Sequence, residues 1–403
     1  MLDKENSSKH QNIKFVSTSS ANNNFLSKIT IEKVIAFIFL VIVFSFDFHF
    51  LWLLYDFLAL FALYFFSKHV NAVLGFTLLF VVSFFMILTF ISGFNIISIF
   101  SVWDNIKHIF VLFMLLFLVE RHIDGRMLKF ANIFGFIIGS IFIIQSILVF
   151  YQYFNGYFKD DISGTFGTAS GHTFAYYCLL YIAYLFYIKR SYLLTFFVFV
   201  LSLILNHLAE NMGYYPLVIL LLSYNWMTIR GVKYMVLYGG ALLLGIIIID
   251  NILGGALIEP VMYRFSDFFV VGSRDLDNFS SSRGYMTALA FSFGGWWGVG
   301  PGAYSDIYSF IGWKALSFPI NISSVTNLLS EYGVIGLLVW LFLYFTFIRR
   351  FFKRRKDFLF ISMLLLFSML YNKVLNDERV IFLLIFIMMF LKIYMHRKVR
   401  LND

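Results

Sequence analysis

The residues best placed to do chemistry lie in one Gly- and Ser-rich stretch. Arg283 follows three serines, and a Gly-Val-Gly-Pro-Gly run occupies 298–302. An arginine can bind two phosphate oxygens at once, and glycines let backbone amides approach an anion closely. The pattern indicates a phosphate site. It is equally well explained if Arg283 pairs with Asp275 or Asp277 and the glycines only turn the chain.

A second candidate is an acid near the outer end of a predicted membrane helix. Glu331 lies in the polar start of the apolar run 325–347, about two turns or less inside it. A carboxylate at that depth is costly and therefore a functional candidate. The alternative is a glutamate that snorkels or hydrogen-bonds to fix a helix contact. Gly333 and Gly336 are expected to allow close helix packing.

Other polar and aromatic residues lie near predicted outer helix ends. His172 and Glu210 are two of them, and Tyr285 begins an amphipathic stretch that runs to Phe293. Trp296 and Trp297 follow. These aromatic rings are expected either to stack on sugars or to anchor the chain at the membrane interface.

Several common kinds of catalytic motif are missing from the sequence. It has no P-loop, so ATP is not the direct energy source, no His/Cys cluster with zinc spacing, and no Gly-x-Ser-x-Gly elbow. Cys178 is the only cysteine and cannot form an internal disulfide. Most of the eight histidines are expected at interfaces or in loops, and the exceptions are His172 and His207, near outer helix ends. We expect neither a metal nor a cofactor.

The elements that must position these residues are membrane helices. Hydrophobic residues make up 61% of the 403 residues, charged residues 13%, and the mean hydropathy is +0.83. Such a chain cannot cover a water-facing surface, so we predict an all-α polytopic membrane protein of about twelve helices. The predicted spans are 31–47, 49–66, 71–91, 104–120, 129–152, 172–188, 192–209, 213–229, 234–252, 325–347, 357–372 and 379–395.

The orientation follows from the lysines and arginines between the spans. With the N-terminus inside, 23 of the 31 basic residues lie inside and eight outside, including Lys107 and Arg379. This asymmetry is the positive-inside pattern. It predicts two cytoplasmic tails, 1–30 and 396–403, in a multi-pass protein of the bacterial inner membrane. The net charge of +9 is then a topology signal, so no nucleic-acid partner is expected.

One connection is much longer than the others. Residues 253–324 separate helices 1–9 (31–252) from helices 10–12 (325–395), whereas most connections are under 20 residues long. A long loop in a compact protein usually carries function. We predict a large, partly helical periplasmic loop.

These motifs together resemble a known family. Arg283 with 298–302, followed by Leu329-Ser330-Glu331-Tyr332-Gly333-Val334-Ile335-Gly336, resembles the signature of the O-antigen polymerase and ligase superfamily of bacterial membrane glycosyltransferases. Gly164-Thr165-Phe166-Gly167 is similar to the short external Gly-Phe motif of that family. The predicted topology fits the family over the whole chain.

The resemblance implies a polymerase of undecaprenyl-pyrophosphate-linked oligosaccharide repeats. It would transfer the growing glycan from its lipid carrier to a new lipid-linked repeat at the periplasmic face. Arg283 would stabilise the leaving pyrophosphate, and Glu331 or Glu210 would orient or deprotonate the acceptor hydroxyl. The implied partners are this lipid-linked substrate, membrane lipids, and a chain-length regulator and a flippase of the same pathway. The candidate substrate-binding residues are Arg264, Arg274, Arg379, His172, Glu210, Tyr285, Gly300 and Gly302.

Two departures from the family pattern keep alternatives open. The ligases usually carry a His-Asn pair before the Glu-x-Gly motif, but 322–326 contains no histidine, which favours a polymerase. The family also often has a Ser-Arg-Gly motif, and its nearest match here, Asn211-Met212-Gly213, has no arginine. A phosphate-binding arginine must therefore come from elsewhere in the chain. An O-antigen ligase, or a non-enzymatic flippase of lipid-linked oligosaccharides, is the alternative.

Overall fold

The protein is helical throughout the part that can be described. The computed structural model describes residues 52–91, 96–122, 126–157, 162–166, 170–209, 211, 213–224, 290–301, 323–371 and 374–400. Within these ranges there is no strand. The helices are α1 (Trp52–His69), α2 (Ala72–Ile91), α3 (Ile96–His122), α4 (Arg126–Phe154), α5 (Gly171–Ala183, continued by a π-helical turn, Tyr184–Lys189), α6 (Tyr192–Leu208), α7 (Tyr214–Ser223), α8 (Ser324–Phe351), α9 (Arg355–Tyr371) and α10 (Glu378–Arg400).

Short turns make consecutive helices run antiparallel, so the bundle has two distinct ends. At the turn between α1 and α2, for example, Asn71 Oδ1 accepts a hydrogen bond from Leu74 N at 3.0 Å. We call the end at which α1, α3, α5, α7 and α10 begin the upper end, and the opposite end the lower end. At the lower end, Glu120 of α3 contacts Arg350 of α8 at 3.5 Å and Lys392 of α10 at 3.4 Å.

The centre of the bundle is formed by α3 and α10. Every residue from Val380 to Met395 is buried, as is every residue from Asn105 to Leu116. A helix that is apolar all round must be surrounded by other helices or by lipid, and α10 packs against α3 and α5. The outer helices instead expose large apolar side chains, such as Phe76 and Phe90 of α2.

Five stretches are long and apolar enough to cross a membrane in the described part of the chain. They are Ala72–Ile91, Ile99–Arg121, Leu128–Phe154, Ser324–Phe351 and Glu378–Arg397. Within the described residues, the prediction of an all-helical chain with several helices suited to a membrane is therefore confirmed. A helix lies at each of ten predicted spans, but 31–47 and 234–252 lie outside the described residues, so the count of twelve stays a prediction. Most of the long loop 253–324 also lies outside them.

One of these stretches, α8, is two helices rather than one. Gly333 has φ 68° and ψ −171°, which is not a helical conformation, and we call 324–332 the first segment and 334–351 the second segment. The predicted span over 325–347 therefore contains a break that its hydropathy did not indicate. Gly333 was expected to serve helix packing, but it supplies a backbone conformation that residues with a Cβ rarely adopt. The second segment is long enough to cross a bilayer by itself.

A short piece of the long loop closes this break. Val299 N donates to Ser330 O and Gly300 N donates to Glu331 O, both at 3.0 Å. In the other direction, Val334 N donates to Gly295 O and Ile335 N to Trp296 O, both at 3.1 Å. Broken helices are tolerated at membrane depth only where the freed backbone groups find partners. We call residues 294–300 the clamp loop.

The clamp loop can approach so closely because glycines occupy positions 294 and 298. A Cβ on Gly298 would lie 2.2 Å from Glu331 O, and one on Gly294 would lie 2.0 Å from Leu329 O. Gly333 is equally restricted, because its Cβ would meet the clamp-loop backbone at 2.4 Å. The glycines therefore decide how the loop and the broken helix fit together.

We predict that Gly298→Ala destabilises the protein by about 2 kcal/mol or more, because it adds a backbone clash to the strain of a positive φ. Gly295→Ala is the matched control: its φ is also positive (52°), but its Cβ would meet nothing within 4 Å. It should cost only the strain, roughly 1 kcal/mol. Denaturant unfolding of the purified protein measures both, and equal losses would contradict the proposed fit.

Candidate functional site

The break in α8 places Glu331 against α3 at the upper end. Glu331 Oε2 accepts a hydrogen bond from Ser101 Oγ at 3.0 Å, and Glu331 is only 3% exposed. The next residue, Tyr332, accepts a hydrogen bond from Asn105 Nδ2 at 3.1 Å through its hydroxyl. The carboxylate is thus held between a helix end and a neighbouring helix rather than snorkelling to the surface.

The contacts also show that the first segment rises toward the upper end. Ser324 Oγ accepts from Leu375 N at 2.9 Å, and Leu375 O contacts His108 Nε2 at 2.8 Å. The segment therefore begins level with His108. It ends at Glu331, beside Ser101, which lies two turns, or about 10 Å, higher on α3. The second segment then descends, so α8 is a re-entrant hairpin whose tip carries Glu331.

Below Glu331 lies a buried lysine surrounded by acids. Lys107 Nζ donates to Asp104 Oδ1 at 2.7 Å, to Asp56 Oδ1 at 2.9 Å and to Glu378 Oε1 at 3.0 Å. An ammonium has three donors, so all three are used, and the side chain is 2% exposed. The cluster joins α1, α3 and α10. Three carboxylates around one ammonium leave an excess of negative charge at this level of the bundle.

His108, next to this cluster, is a satisfied core residue. Its Nε2 contacts the carbonyl of Leu375, which can only accept, so Nε2 carries the proton. Its Nδ1 then accepts from the Tyr55 hydroxyl at 2.7 Å. The ring is fully used as a neutral tautomer. The residue is only 1% exposed and so belongs to the interior of the bundle.

Asp377 links the start of α10 to α5. Its Oδ1 accepts from the backbone N–H groups of Arg379 and Val380 at 3.0 and 3.3 Å, as a helix N-cap does. Its Oδ2 contacts His172 Nε2 at 3.0 Å. Burial alone would raise the pKa of Asp377, but the bonds from His172 and Val380 and the charge of Arg379 hold it well below its usual range. This stabilisation is present above the pKa of an unfolded aspartate and is lost as the pH falls through the lowered pKa.

Arg379 fixes the turn that carries the Gly-Phe motif. Its guanidinium donates to Phe166 O at 2.6 Å and to Ser170 Oγ at 3.2 Å. Gln152 Oε1 of α4 accepts from Gly164 N at 2.8 Å, and Gln145 Oε1 accepts from Thr165 N at 2.8 Å. The motif is therefore a turn whose backbone groups are hydrogen-bonded by side chains of α4 and α10.

The structure gathers the described sequence candidates at one end of the bundle. Glu331 connects through α3 to the Lys107 cluster, and Glu378 of that cluster is followed by Arg379, which shares Asp377 with His172. Gly300 is also at this end, but its N–H is already bonded to Glu331 O. The candidates that lie outside the described residues are Arg264, Arg274, Arg283, Tyr285, Glu210 and Gly302.

Sequence reasoning missed the Lys107 cluster. Lys107 was counted with the outside basic residues although the predicted span 104–120 contained it, and the structure buries it inside the bundle. A signal was present in the sequence, because Asp104, Asn105, Lys107 and His108 crowd the start of a predicted span. Ionisable residues within a membrane helix are functional candidates by default.

The upper end offers acid–base and hydrogen-bonding chemistry. Glu331 is a carboxylate beside a loop, which suits it to orient a hydroxyl or accept its proton. In the described ranges no group of three His, Cys, Asp or Glu residues is arranged to hold a metal ion. The described part of the upper end therefore has one buried acid, Glu331, beside the clamp loop. The ion pairs of Lys107 and Asp377 lie nearby.

We predict that Lys107→Met destabilises the protein by about 2–3 kcal/mol, because it leaves three carboxylates without their shared cation. The loss is less than for a fully buried pair, since Asp56 and Asp104 are partly exposed. Lys68→Met, which removes an exposed lysine at the lower end, is the control and should change little. Adding Glu378→Gln to Lys107→Met should restore part of the stability in a double-mutant cycle. If the double variant is no more stable than Lys107→Met, the charge of Glu378 does not contribute to the loss of stability.

No model of a known protein family matches the sequence, and no curated protein matches it. The function must therefore be inferred from the residues and their geometry.

Proposed function

We propose that this protein is a membrane glycosyltransferase that polymerises undecaprenyl-pyrophosphate-linked oligosaccharide repeats at the periplasmic face of the bacterial inner membrane. The observation that carries the proposal is the position of Glu331. It is a buried acid at the tip of a re-entrant helix, bonded to Ser101 and clamped by the Gly-rich loop. In the sequence, Arg283 lies only a few residues before the described part of that loop.

The charges of the two ends support the orientation. In the described ranges, the basic residues of the upper end are Lys107 and Arg379, and both are bonded to acids. The lower end carries many more, including Lys68, Lys189, Arg190, Arg349, Arg350, Lys353, Arg354 and Arg355. By the positive-inside rule the lower end is cytoplasmic. The site at the upper end then faces the periplasm, where lipid-linked repeats are joined.

The proposed reaction needs no energy source besides its substrate. The acceptor hydroxyl oxygen attacks the anomeric carbon of the donor glycan, and the bond from that carbon to the pyrophosphate oxygen breaks. The bonding electrons leave with undecaprenyl pyrophosphate, whose charge Arg283 stabilises. The hydroxyl proton passes to Glu331. Because the pyrophosphate bond is already activated, the lack of a P-loop is consistent with this chemistry.

A second candidate is an ion-coupled flippase of the same lipid-linked oligosaccharides. The Lys107 cluster favours it, because charged groups in the interior of a membrane bundle often mark ion or substrate pathways. The transferase is preferred for two reasons. All three donors of Lys107 are already bonded, and the sequence places its longest loop beside the acid rather than along a central cavity.

The decisive experiment is deletion of this chain in its native host, followed by analysis of surface glycan and of lipid-linked intermediates. A polymerase predicts surface glycan with a single repeat per anchor, because repeats are still exported and attached. Long glycan stranded on its lipid carrier would indicate a ligase instead. Repeats trapped on the cytoplasmic side would indicate a flippase.

Two arginine variants and one glutamate variant test the assigned roles. Arg283→Ala should abolish long chains, since a charge-assisted contact to the leaving group contributes on the order of 100-fold in rate. Arg283→Lys should leave a shortened distribution, because it keeps the charge but loses the bidentate geometry. Glu331→Gln should also abolish long chains, because the amide cannot accept the proton.

Glycan length on gels and protein level on blots are measured together for these variants. Gly156→Ala, at an exposed turn where its Cβ would meet nothing within 4 Å, is a control that should leave glycan length unchanged. Normal long chains from a well-expressed Arg283→Ala variant would eliminate Arg283 as a substrate ligand. Loss of chains that only follows loss of protein would mean that the residue is structural.

A further inference from the structure

We propose that an anionic phospholipid binds in a groove on the lower half of the bundle, with its phosphate held by Lys189 and Arg397 and an acyl chain lying along α4. The inference goes beyond the proposed function, because the groove lies toward the opposite end of the bundle from Glu331. It concerns the membrane leaflet at the lower end, whichever reaction the upper end performs.

The groove is a cavity of about 610 Å³ between α4, the π-helical turn that continues α5, the start of α6 and the end of α10. Its volume is in the range of sites that bind small molecules. Phe136 and Ile143, two of its lining residues, are 76% and 61% exposed, so the cavity opens on the outer surface of the bundle. A molecule that enters from that side comes from the surrounding lipid.

Two glycines of α4 make room for the groove. The lining residues of α4 recur every three or four positions, as one face of a helix does. A Cβ on Gly135 would lie 2.0 Å from Tyr184 Cζ, and one on Gly139 would lie 2.9 Å from the Tyr181 hydroxyl oxygen. The two tyrosine rings therefore stand directly against the α4 backbone and form one wall of the groove.

The groove is long enough for an acyl chain of one leaflet. On α4 its lining extends from Leu128 to Ile143, which is about 22 Å of helix at 1.5 Å per residue. One leaflet contributes half of the hydrocarbon core, or roughly 15 Å. Leu128 is also the first residue of the stretch of α4 that is suited to cross a membrane. The groove therefore begins at the lower membrane boundary and extends through that leaflet.

The π-helical turn sets the position of a lysine at this boundary. Four of the six residues of Tyr184–Lys189 line the cavity, and π-helical turns often occur at functional sites. Arg190 ends the turn with φ 56°, a conformation that costs energy in a residue with a Cβ. Its guanidinium lies over the Tyr394 ring at 5.7 Å. The turn therefore presents Lys189, and not Arg190, to the groove.

Two cations lie where the headgroup of such a lipid would be. Lys189 ends the π-helical turn at the lower end, and Arg397 is the last residue of the stretch of α10 that is suited to cross a membrane. Both line the cavity, and none of its described lining residues is Asp or Glu. Neither cation has an ion pair with a described acid, and Glu120 pairs with Arg350 and Lys392 instead. The positive charge at this place is therefore not neutralised by the described part of the chain.

An anionic phospholipid matches both features of the groove. Basic pockets between helices on the cytoplasmic side of a membrane bind acidic lipid headgroups. Lysine attracts a phosphate as a point charge, and arginine can bind two of its oxygens. Asn132, one turn above Leu128, also lines the groove and can donate to phosphate or ester oxygens. A soluble phosphate would leave the apolar length empty, and a neutral lipid would leave the two cations without a counter-charge.

Native mass spectrometry of the purified full chain in detergent tests this site. The protein is titrated with phosphatidylglycerol and, in parallel, with phosphatidylcholine that has the same acyl chains. Each basic residue near the headgroups favours an anionic lipid by roughly fivefold in affinity. We therefore expect the first phosphatidylglycerol to bind roughly 25-fold more tightly than the first phosphatidylcholine.

Two pairs of substitutions locate the phosphate. Lys189→Gln combined with Arg397→Gln should remove most of the preference for phosphatidylglycerol. The chain should still fold, because neither side chain has a described ion pair to lose, and gel filtration checks this. Lys353→Gln combined with Arg355→Gln is the matched control, because it removes two exposed basic residues of the lower end that do not line the groove. Its preference should equal that of the native chain.

One substitution tests the apolar part of the groove without changing any charge. Ser140 is exposed and lines the cavity, and its hydroxyl donates to Phe136 O of the same helix at 3.1 Å. In Ser140→Trp the indole ring should occupy the space of the acyl chain. Binding of both lipids should then weaken.

Equal affinities of the native chain for the two lipids would overturn the proposal. So would a preference that survives the Lys189 and Arg397 substitutions, or one that falls equally in the control pair. Displacement of phosphatidylglycerol by a lower concentration of undecaprenyl phosphate would also overturn it and assign the groove to that carrier. A dimer that Ser140→Trp disrupts and phosphatidylglycerol does not would assign the groove to a second copy of the chain.

The outcome is separate from that of the proposed function. A preference for phosphatidylglycerol in a protein without polymerase activity would support the lipid site and contradict the polymerase. Polymerase activity in a protein without this preference would do the reverse.

Discussion

The upper end of this protein depends on one constraint: backbone polar groups freed at a helix break must be bonded before they can lie within a membrane bundle. At Gly333 the chain breaks α8, and four hydrogen bonds from the clamp loop bond the freed carbonyl and N–H groups. The constraint fixes more than the backbone. It sets the position of Glu331 along the bundle and requires glycine at 298 and 333. It also ties the described piece of the long loop 253–324 to the helices of the bundle.

Ion pairs between helices are the second feature that fixes the upper end. In the upper half of the bundle, Lys107 joins α1, α3 and α10 through three carboxylates, and Asp377 joins α10 to α5 through His172. Such contacts contribute less to stability than an apolar core of equal volume, but removing one partner is costly, because the other charge is left buried. The network therefore holds the helices in one register. Glu331, its clamp and the Gly-Phe turn are positioned relative to one another by this register.

A rigid upper end suits the proposed chemistry. A transferase that uses an activated lipid-linked donor has little covalent work to do, so its rate depends on positioning and on electrostatic stabilisation. Glu331 is positioned by its hydrogen bond from Ser101 and by the clamp loop, which bonds the Glu331 carbonyl.

The sequence by itself determined the class of this protein. Composition and apolar run lengths required membrane helices, and a helix lies at every predicted span that the structure describes, because a bilayer demands long apolar segments wherever the chain crosses it. Glu331 was also found from sequence, since an acid in an apolar run is conspicuous. Only the tertiary structure decided the break at Gly333 and the hydrogen bond from Gly300 N–H to Glu331 O. It also decided that Lys107 and His108 are buried. Those features depend on partners as far as 271 residues away along the chain. Neither hydropathy nor spacing indicates which distant group will meet a given side chain.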